Sequence, residues 1–359
     1  MTAAPWLHGL RVLEFQAAGP VPFCGMLLAD MGADVVVVGR AAVDDQPYTV
    51  DPARDVLHRG KRRIALDLKS DAGRAAALDL GSRADAVLEG FRPGVMERLG
   101  LGPDVLLAHR PALVYARVSG YGRGGPDAQR PGHDLNFLAE SGALHAMGDA
   151  DRVPTPPLNL IADFGGAGSL AATGVLGALL HARGTGRGQV VDVSMLQATR
   201  VLLASICSWR AAGLWNDERG RNFLDGSCPW YAVYRAQDGP MLAVASLEPP
   251  FYARLVEVLA LQDFATSQWD RSRWAALRDR MRATFATRPR SHWLDRFTTQ
   301  PACVSPVDPL PTRDADGWFT AAGVLQPQGA FGPVSIPQEE LSSAEDPTAV
   351  LARWPHPAQ

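Results

Sequence analysis

Lysine is nearly absent from this chain: of 35 basic residues only Lys61 and Lys69 are lysines, and the rest are arginine. A Schiff-base mechanism needs a lysine amine held in a site and is poorly provided for. Any anionic ligand falls to arginine, whose planar guanidinium matches carboxylates and phosphates. A basic excess is also missing. A net charge of −3 over 359 residues offers no electrostatic footprint for nucleic acid. The four cysteines, Cys24, Cys207, Cys228 and Cys303, are widely spaced and form no C-x-x-C. That excludes a zinc motif or a disulfide framework and predicts reduced, buried thiols. No apolar run is read as approaching the roughly 18 to 20 uncharged residues of a membrane span. The opening "MTAAPWLHGLRVLEF" lacks the charged and apolar regions of a secretory signal. We therefore expect a cytoplasmic protein without a membrane partner.

What is present reads as an α/β protein of two domains, since 359 residues exceed one comfortable core. "LRVLEF", "AGPVPFCGMLLADMGA" and "DVVVVG" form a strand, helix and strand. Further strand-like runs at "RRIALDL", "DAVLEG" and "ALVYARVSG" alternate with helical patterns at 70–84 and 104–109, which predicts a parallel, doubly wound, Rossmann-like sheet. "FGGAGSLAATGVLGALLHA" reads as a close-packed helix, "GQVVDVSML" as a strand and 197–212 as one long helix. The hairpin signal Asp238-Gly239 within "WYAVYRAQDGPMLAVAS", followed by helical segments over 249–300, marks a smaller α+β domain. The boundaries read as a large domain at 1–190, a linker helix at 191–222, the small domain at 223–312 and a segment at 313–359 returning to the large domain.

The turn after the first strand, "EFQAAGPVPFCG", has no G-x-G-x-x-G, so the backbone approach to a dinucleotide pyrophosphate is missing. Arg40, after the second strand, suits a phosphorylated ribose, either of NADP or the 3′-phosphate of coenzyme A, or is a solvated arginine. Arg59, Lys61, Arg62 and Arg63 cluster before a strand, and Arg92 directly follows one, at the strand ends where open α/β sheets bind ligands. For chemistry, the candidates are the adjacent His133 and Asp134 in "RPGHDLNFL", Asp163 in "LNLIADFGG" and Glu248 in "VASLEPPFY". Each has a structural alternative: Asp163 as a helix N-cap, Glu248 as a helix-start acid, His133 as a packing histidine. Spacing alone does not bring them together.

Segments such as "RGKRRIALDLKS", "EGFRPGVMERLGLGP", "YARVSGYGRGGP", "GHDLNFLA", "PPLNLIADFGG", "RNFLDG", "LEPPFY" and "ACVSPV" run through the chain in one order. In these the sequence resembles the family III coenzyme A transferases of the CaiB/BaiF superfamily, and within them the α-methylacyl-CoA racemases. The resemblance implies an interlocked homodimer of bilobed subunits acting on acyl-CoA, with no resident cofactor or metal, coenzyme A being part of the substrate. It implies that His133 and Asp163 are two acid/base groups, that Glu248 orients His133, and that Asn159 and Tyr231 support the aspartate. Arg40, Arg59, Arg62 and Arg92 fall on or near the coenzyme A contacts.

Racemising the carbon beside a thioester removes its proton on one face and returns one on the other, so two groups must flank a planar enolate. The backbone N–H of Asp134 is a candidate donor to the enolate oxygen. The rival on the same fold is a CoA transferase in which Asp163 attacks the thioester and forms an acyl anhydride. A binding-only CoA or NADP sensor is a third class, and has no need of His133, Asp163 and Glu248 together. The sequence departs from the family at "DGSCP" (225–229), in a short connection after "ACVSPV" and in a degenerate "FGPVSIPQ", all of which bear on acyl specificity.

Overall fold

Short β-rich runs separated by helical crossovers can share one sheet only as parallel strands. The computed structural model describes residues 5–40, 47, 50, 55–310 and 344–356, and its first unit has this arrangement. That unit combines the described residues of Met1–Ser141, Pro157–Leu203 and Arg313–Gln359. Its elements begin with β1 (Arg11–Phe15), α1 (Pro20–Asp30), β2 (Asp34–Gly39), β3 (Lys61–Ala65), α2 (Asp71–Arg83) and β4 (Ala86–Glu89). There follow α3 (Val95–Arg98), α4 (Pro103–His109), β5 (Val114–Ser119) and α5 (Asp134–Ser141). A π-helical stretch, Leu160–Gly168, runs into α6 (Ser169–Thr185), and β6 (Val190–Ser194) and α7 (Met195–Leu202) complete the series.

The sheet order is β3-β2-β1-β4-β5-β6, all parallel. Strand order reverses between β1 and β4, so the crevice outside their C-terminal ends is where this topology places a ligand. The central strands are covered on both faces, and Val12, Leu13, Phe15, Val35, Val36 and Val37 are almost wholly inaccessible.

The second unit takes the described residues of Gly142–Pro156 and Ala204–Thr312. It contains α8 (Ala204–Ala211), β7 (Tyr231–Arg235), β8 (Met241–Ala245), α9 (Pro249–Val258), α10 (Trp274–Phe285), α11 (Arg290–Thr299) and β9 (Val304–Val307). β7 and β8 form the antiparallel hairpin, with Gly239 at φ +98° in its turn, and β9 adds to β8. Trp230, Tyr252, Trp274 and Phe285 dominate its separate core. Back in the first unit, α12 (Pro347–Arg353) leads to buried Trp354, whose indole N–H donates to Asp34 Oδ2 at 2.7 Å.

Several expectations are corrected. Residues 190–202 belong to the first unit's sheet and its last helix, while 142–156 and 204–222 belong to the second unit, so no linker helix spans 191–222. The long helix read over 197–212 is broken at Leu203 into α7 and α8, and α8 buries none of its residues. Lys61, Arg62 and Arg63 lie within β3 rather than before it, because paired carboxylates neutralise the first two. Only Cys24 and Cys228 are buried; Cys207 and Cys303 are exposed. The helix over Leu160–Thr185 does reach the length and composition of a membrane span, contrary to the sequence reading. Its Gly/Ala content lets α6 pack closely in the first unit's core, through Ala171, Ala172, Val175 and Ala178. "FGPVSIPQ" and most of the segment after Leu310 lie outside the described residues.

Candidate active site

Two loops of the first unit carry the candidate residues His133, Asp134, Asn159 and Asp163. In the loop before α5, the buried ring of Phe137 sits where a Cβ at either Gly120 or Gly132 would approach it to within 2.8–2.9 Å. Only glycine allows the backbone to close on that ring. The closure sets His133 immediately before the helix, with its N–H donating to Asn136 Oδ1 at 3.0 Å and its side chain exposed. Asp134 is the first helical residue, so its N–H has no acceptor within the helix.

The second loop is the π-helical stretch. Leu158 precedes it at φ +59°, a left-handed conformation uncommon for a branched residue, and π-turns concentrate at functional sites. Asn159 follows as the N-cap, so Asp163 is not the helix cap that its sequence position allowed but lies inside the π-helical turn. The carboxylate of Asp134 joins the two loops: its Oδ2 accepts the Asp163 N–H at 2.9 Å. Asp134 is buried, and burial raises its pKa against the opposing effect of the Asp163 and Ala162 N–H groups.

Asp163 itself is partly buried. Burial first, and the negative charge of Asp134 second, push its carboxyl up to about 6, while the charge of His133 and a hydrogen bond from Asn159 oppose the rise. His133 is therefore close enough to act electrostatically on Asp163. At the start of α1, Gly19 (φ +69°) closes the other side: a Cβ there would come within 2.9 Å of Asp163 Oδ2. Phe23 stacks on Phe164 at 4.7 Å with an interplanar angle of 10°.

The structure thus brings His133, Asp134, Asn159 and Asp163 together. Tyr231 and Glu248 belong to the second unit, at one end of its hairpin, where Tyr231 pairs with Ala245. Glu248 occupies the N-cap of α9, yet its exposed carboxylate makes no capping hydrogen bond. The neighbouring "DGSCP" departure has a different consequence from the one its sequence suggested. Ser227 and Cys228 are buried and spend their side chains on the Asn222 and Phe223 carbonyls, so neither is free to shape an acyl site.

The four arginines separate. Arg40 follows β2 and Arg92 follows β4; both are exposed at the C-terminal ends of their strands. Arg59 is buried and clamped by Asp30 of α1, with contacts at 2.9 and 2.5 Å. Arg62 turns toward the opposite end of the sheet, to Asp34 at the start of β2 and to Glu345. Carboxylates already neutralise both, which removes them from the coenzyme A contacts expected of them. Relative to Arg62, strand alternation puts Arg63 on the other face of the sheet. Its guanidinium lies 3.4 Å from where a Gly39 Cβ would stand, beside Gln16, at Arg40's end of the sheet. Arg63 belongs to the basic cluster read from the sequence; Gly19 was overlooked, and nothing local signals it. Among the described residues no group of three or more His, Cys, Asp or Glu is arranged to hold a metal ion.

Residues 7–359 match CoA-transferase family III. The chain is 42% identical over 302 residues to the α-methylacyl-CoA racemase of Mus musculus and 41% identical to that of Homo sapiens, covering in each case 84% of this chain and 77% of the relative. In fold it is similar to a CAIB/BAIF family protein from Brucella suis, with a TM-score of 0.78, 24% identity and coverage of 98% of this chain and 100% of that one.

Proposed function

The chain belongs to CoA-transferase family III, and from that premise we propose that it racemises or epimerises 2-methylacyl-CoA thioesters by 1,1-proton transfer. His133 and Asp163 are the two acid/base groups. One takes the α-proton, the other returns a proton to the opposite face of the enolate, and their roles exchange with the enantiomer bound. The observation that carries this reading is the convergence of an exposed imidazole and a carboxyl raised to about 6, from separate loops and within electrostatic reach. Near neutrality such a carboxyl is mostly ionised, with roughly a tenth protonated at pH 7, so both forms that the two directions need are present.

The N–H of Asp134 donates to the enolate oxygen as charge develops there. Arg40 and Arg92 hold the phosphates of coenzyme A. The enzyme uses no resident cofactor or metal and works in the cytoplasm. Asn159 and Tyr231 support Asp163, and Glu248 orients His133, within an interlocked homodimer. Exposed apolar side chains support such an assembly: Leu158, Leu160, Leu180 and Val201 on the first unit, and on the second the helix α8, which buries no residue of its own.

The transferase alternative would use Asp163 as a nucleophile toward the thioester carbonyl. The named relatives at 41–42% identity favour the racemase. The test is to supply one enantiomer of a 2-methylacyl-CoA with no carboxylic acid present and follow its configuration by chiral separation. Conversion toward the mirror form is expected; a substrate that keeps its configuration, and in a parallel incubation with an added carboxylic acid loses its CoA to that acid, contradicts the proposal.

A further inference from the structure

The most deeply enclosed charges of the first unit lie outside the residues assigned so far. Lys61 Nζ stands 2.9 and 2.7 Å from the two carboxylate oxygens of Glu14, and both side chains are fully shielded from solvent. Burying such a pair is a poor source of stability, because an apolar pair of similar volume serves as well or better. The third bond of the ammonium is more informative. Lys61 Nζ also donates to the Pro22 carbonyl at 2.8 Å, in the first turn of α1. Three acceptors around one compact centre suit an ammonium, whereas a guanidinium spreads its donors in a plane. This is one of only two lysines in an arginine-dominated chain. The helix also rests directly on the pair: a Cβ at Gly25 would stand 1.8 Å from Glu14 Oε2.

The same turn of α1 reaches the reactive carboxyl. Gly19 abuts Asp163 Oδ2, Phe23 stacks on Phe164, and a Cβ at Gly168 would meet Phe23 at 2.7 Å and the Pro20 carbonyl at 3.1 Å. Between Pro22, held by Lys61, and Gly19, set against Asp163, lie only two residues. The wall beside the reactive carboxyl is therefore tied to a charge pair buried beneath α1, between central strand β1 and the start of β3.

We propose that the Glu14–Lys61 pair is a positioning device for Asp163, fixing the first turn of α1 so that it holds the carboxyl in its reactive orientation. Neither residue touches the reacting atoms. The inference rests on Asp163 being a proton-transfer group, and its test separates the two.

The informative variant is the double substitution Glu14→Met/Lys61→Met, which keeps apolar volume and leaves no orphan charge. Its thermal midpoint should equal or exceed that of the wild type. One readout needs no substrate: titration of the Asp163 carboxyl by carbon NMR of aspartate-labelled protein, assigned by the signal lost in Asp163→Asn. In the folded double variant that midpoint should fall from about 6 by about one pH unit or more, as the loosened turn admits water. The second readout is turnover of a 2-methylacyl-CoA, where kcat should drop by roughly 10-fold with KM nearly unchanged. A folded double variant that keeps both the wild-type midpoint and kcat overturns the proposal. Should it not fold, the isosteric Glu14→Gln is judged by the same two readouts. A wild type without racemisation would remove the reading of Asp163 as a proton-transfer group, while the carboxyl titration would still decide whether the pair positions it.

Discussion

The carboxylate of Asp134 accepts the backbone N–H of Asp163 at 2.9 Å, and this bond joins the two loops on which the proposed acid and base stand. His133 precedes Asp134 directly. The hydrogen bond from the Asp163 N–H, with the Ala162 N–H beside it, thus ties together the two loops that carry the imidazole and the carboxyl. Replacing Asp134 with alanine removes the acceptor and leaves a buried N–H unsatisfied, at a cost of about 1–3 kcal/mol. The larger effect should be on rate, because misplacing one group by an ångström is worth on the order of 10²-fold. Denaturant unfolding alongside kcat will show whether the loss in rate exceeds what the stability change explains.

His133→Ala and Asp163→Ala should each lower turnover by roughly 10² to 10⁴, the usual contribution of a positioned proton-transfer group. Binding of the CoA ester, measured by calorimetry, should stay within a few-fold of the wild type. A variant that retains near-normal racemisation shows that its residue is not one of the two groups.

The raised carboxyl of Asp163 also makes a prediction about stability. Its pKa of about 6 in the folded protein lies above the unfolded value of roughly 3.9. The favourable contribution is thus present below the unfolded value and is lost as pH rises through about 6. Above that, the folded state holds an ionised, partly buried carboxylate beside Asp134. Asp163→Asn should therefore be more stable than the wild type at pH 7.5, by about 1–2 kcal/mol after allowance for partial exposure. Urea denaturation of both proteins between pH 4 and 8 should show the advantage fading toward the acid end. A constant difference across that range would indicate that Asp163 titrates normally.

Arg40→Gln and Arg92→Gln should raise KM for the CoA ester by roughly 10-fold each, as expected for loss of a charge-assisted phosphate contact, with little change in kcat. Arg62→Gln should leave KM alone, because its guanidinium is engaged by Asp34 and Glu345 at the far end of the sheet. Equal effects at Arg62 and Arg40 would contradict the division between arginines neutralised by carboxylates and those exposed at the C-terminal strand ends.

Much of the fold is legible from local pattern. β1, α1 and β2 follow from period and burial, and Asp238-Gly239 marks the β7–β8 hairpin because its turn requires a positive φ. Less legible are features that depend on distant partners. Lys61 and Arg62 look like a basic loop until Glu14 and Asp34, both remote in sequence, neutralise them within a strand. Leu203 is no helix breaker, yet α7 ends there and α8 begins at Ala204 as part of the other unit. The left-handed Leu158 and the π-turn after it carry no residue signature, since a leucine offers no hint of positive φ. His133 and Asp163 were nameable from motif, but their joining through Asp134 is a tertiary fact.

Exchange of the α-proton tests the central claim most directly. A single enantiomer of a 2-methylacyl-CoA is incubated with the protein in D₂O, with and without a free carboxylic acid, and deuterium, configuration and CoA transfer are followed together. The two-group mechanism predicts deuterium at the α-carbon with loss of configuration and no requirement for the acid. Transfer of CoA to the acid without deuterium entry would contradict it and reassign Asp163 as a nucleophile.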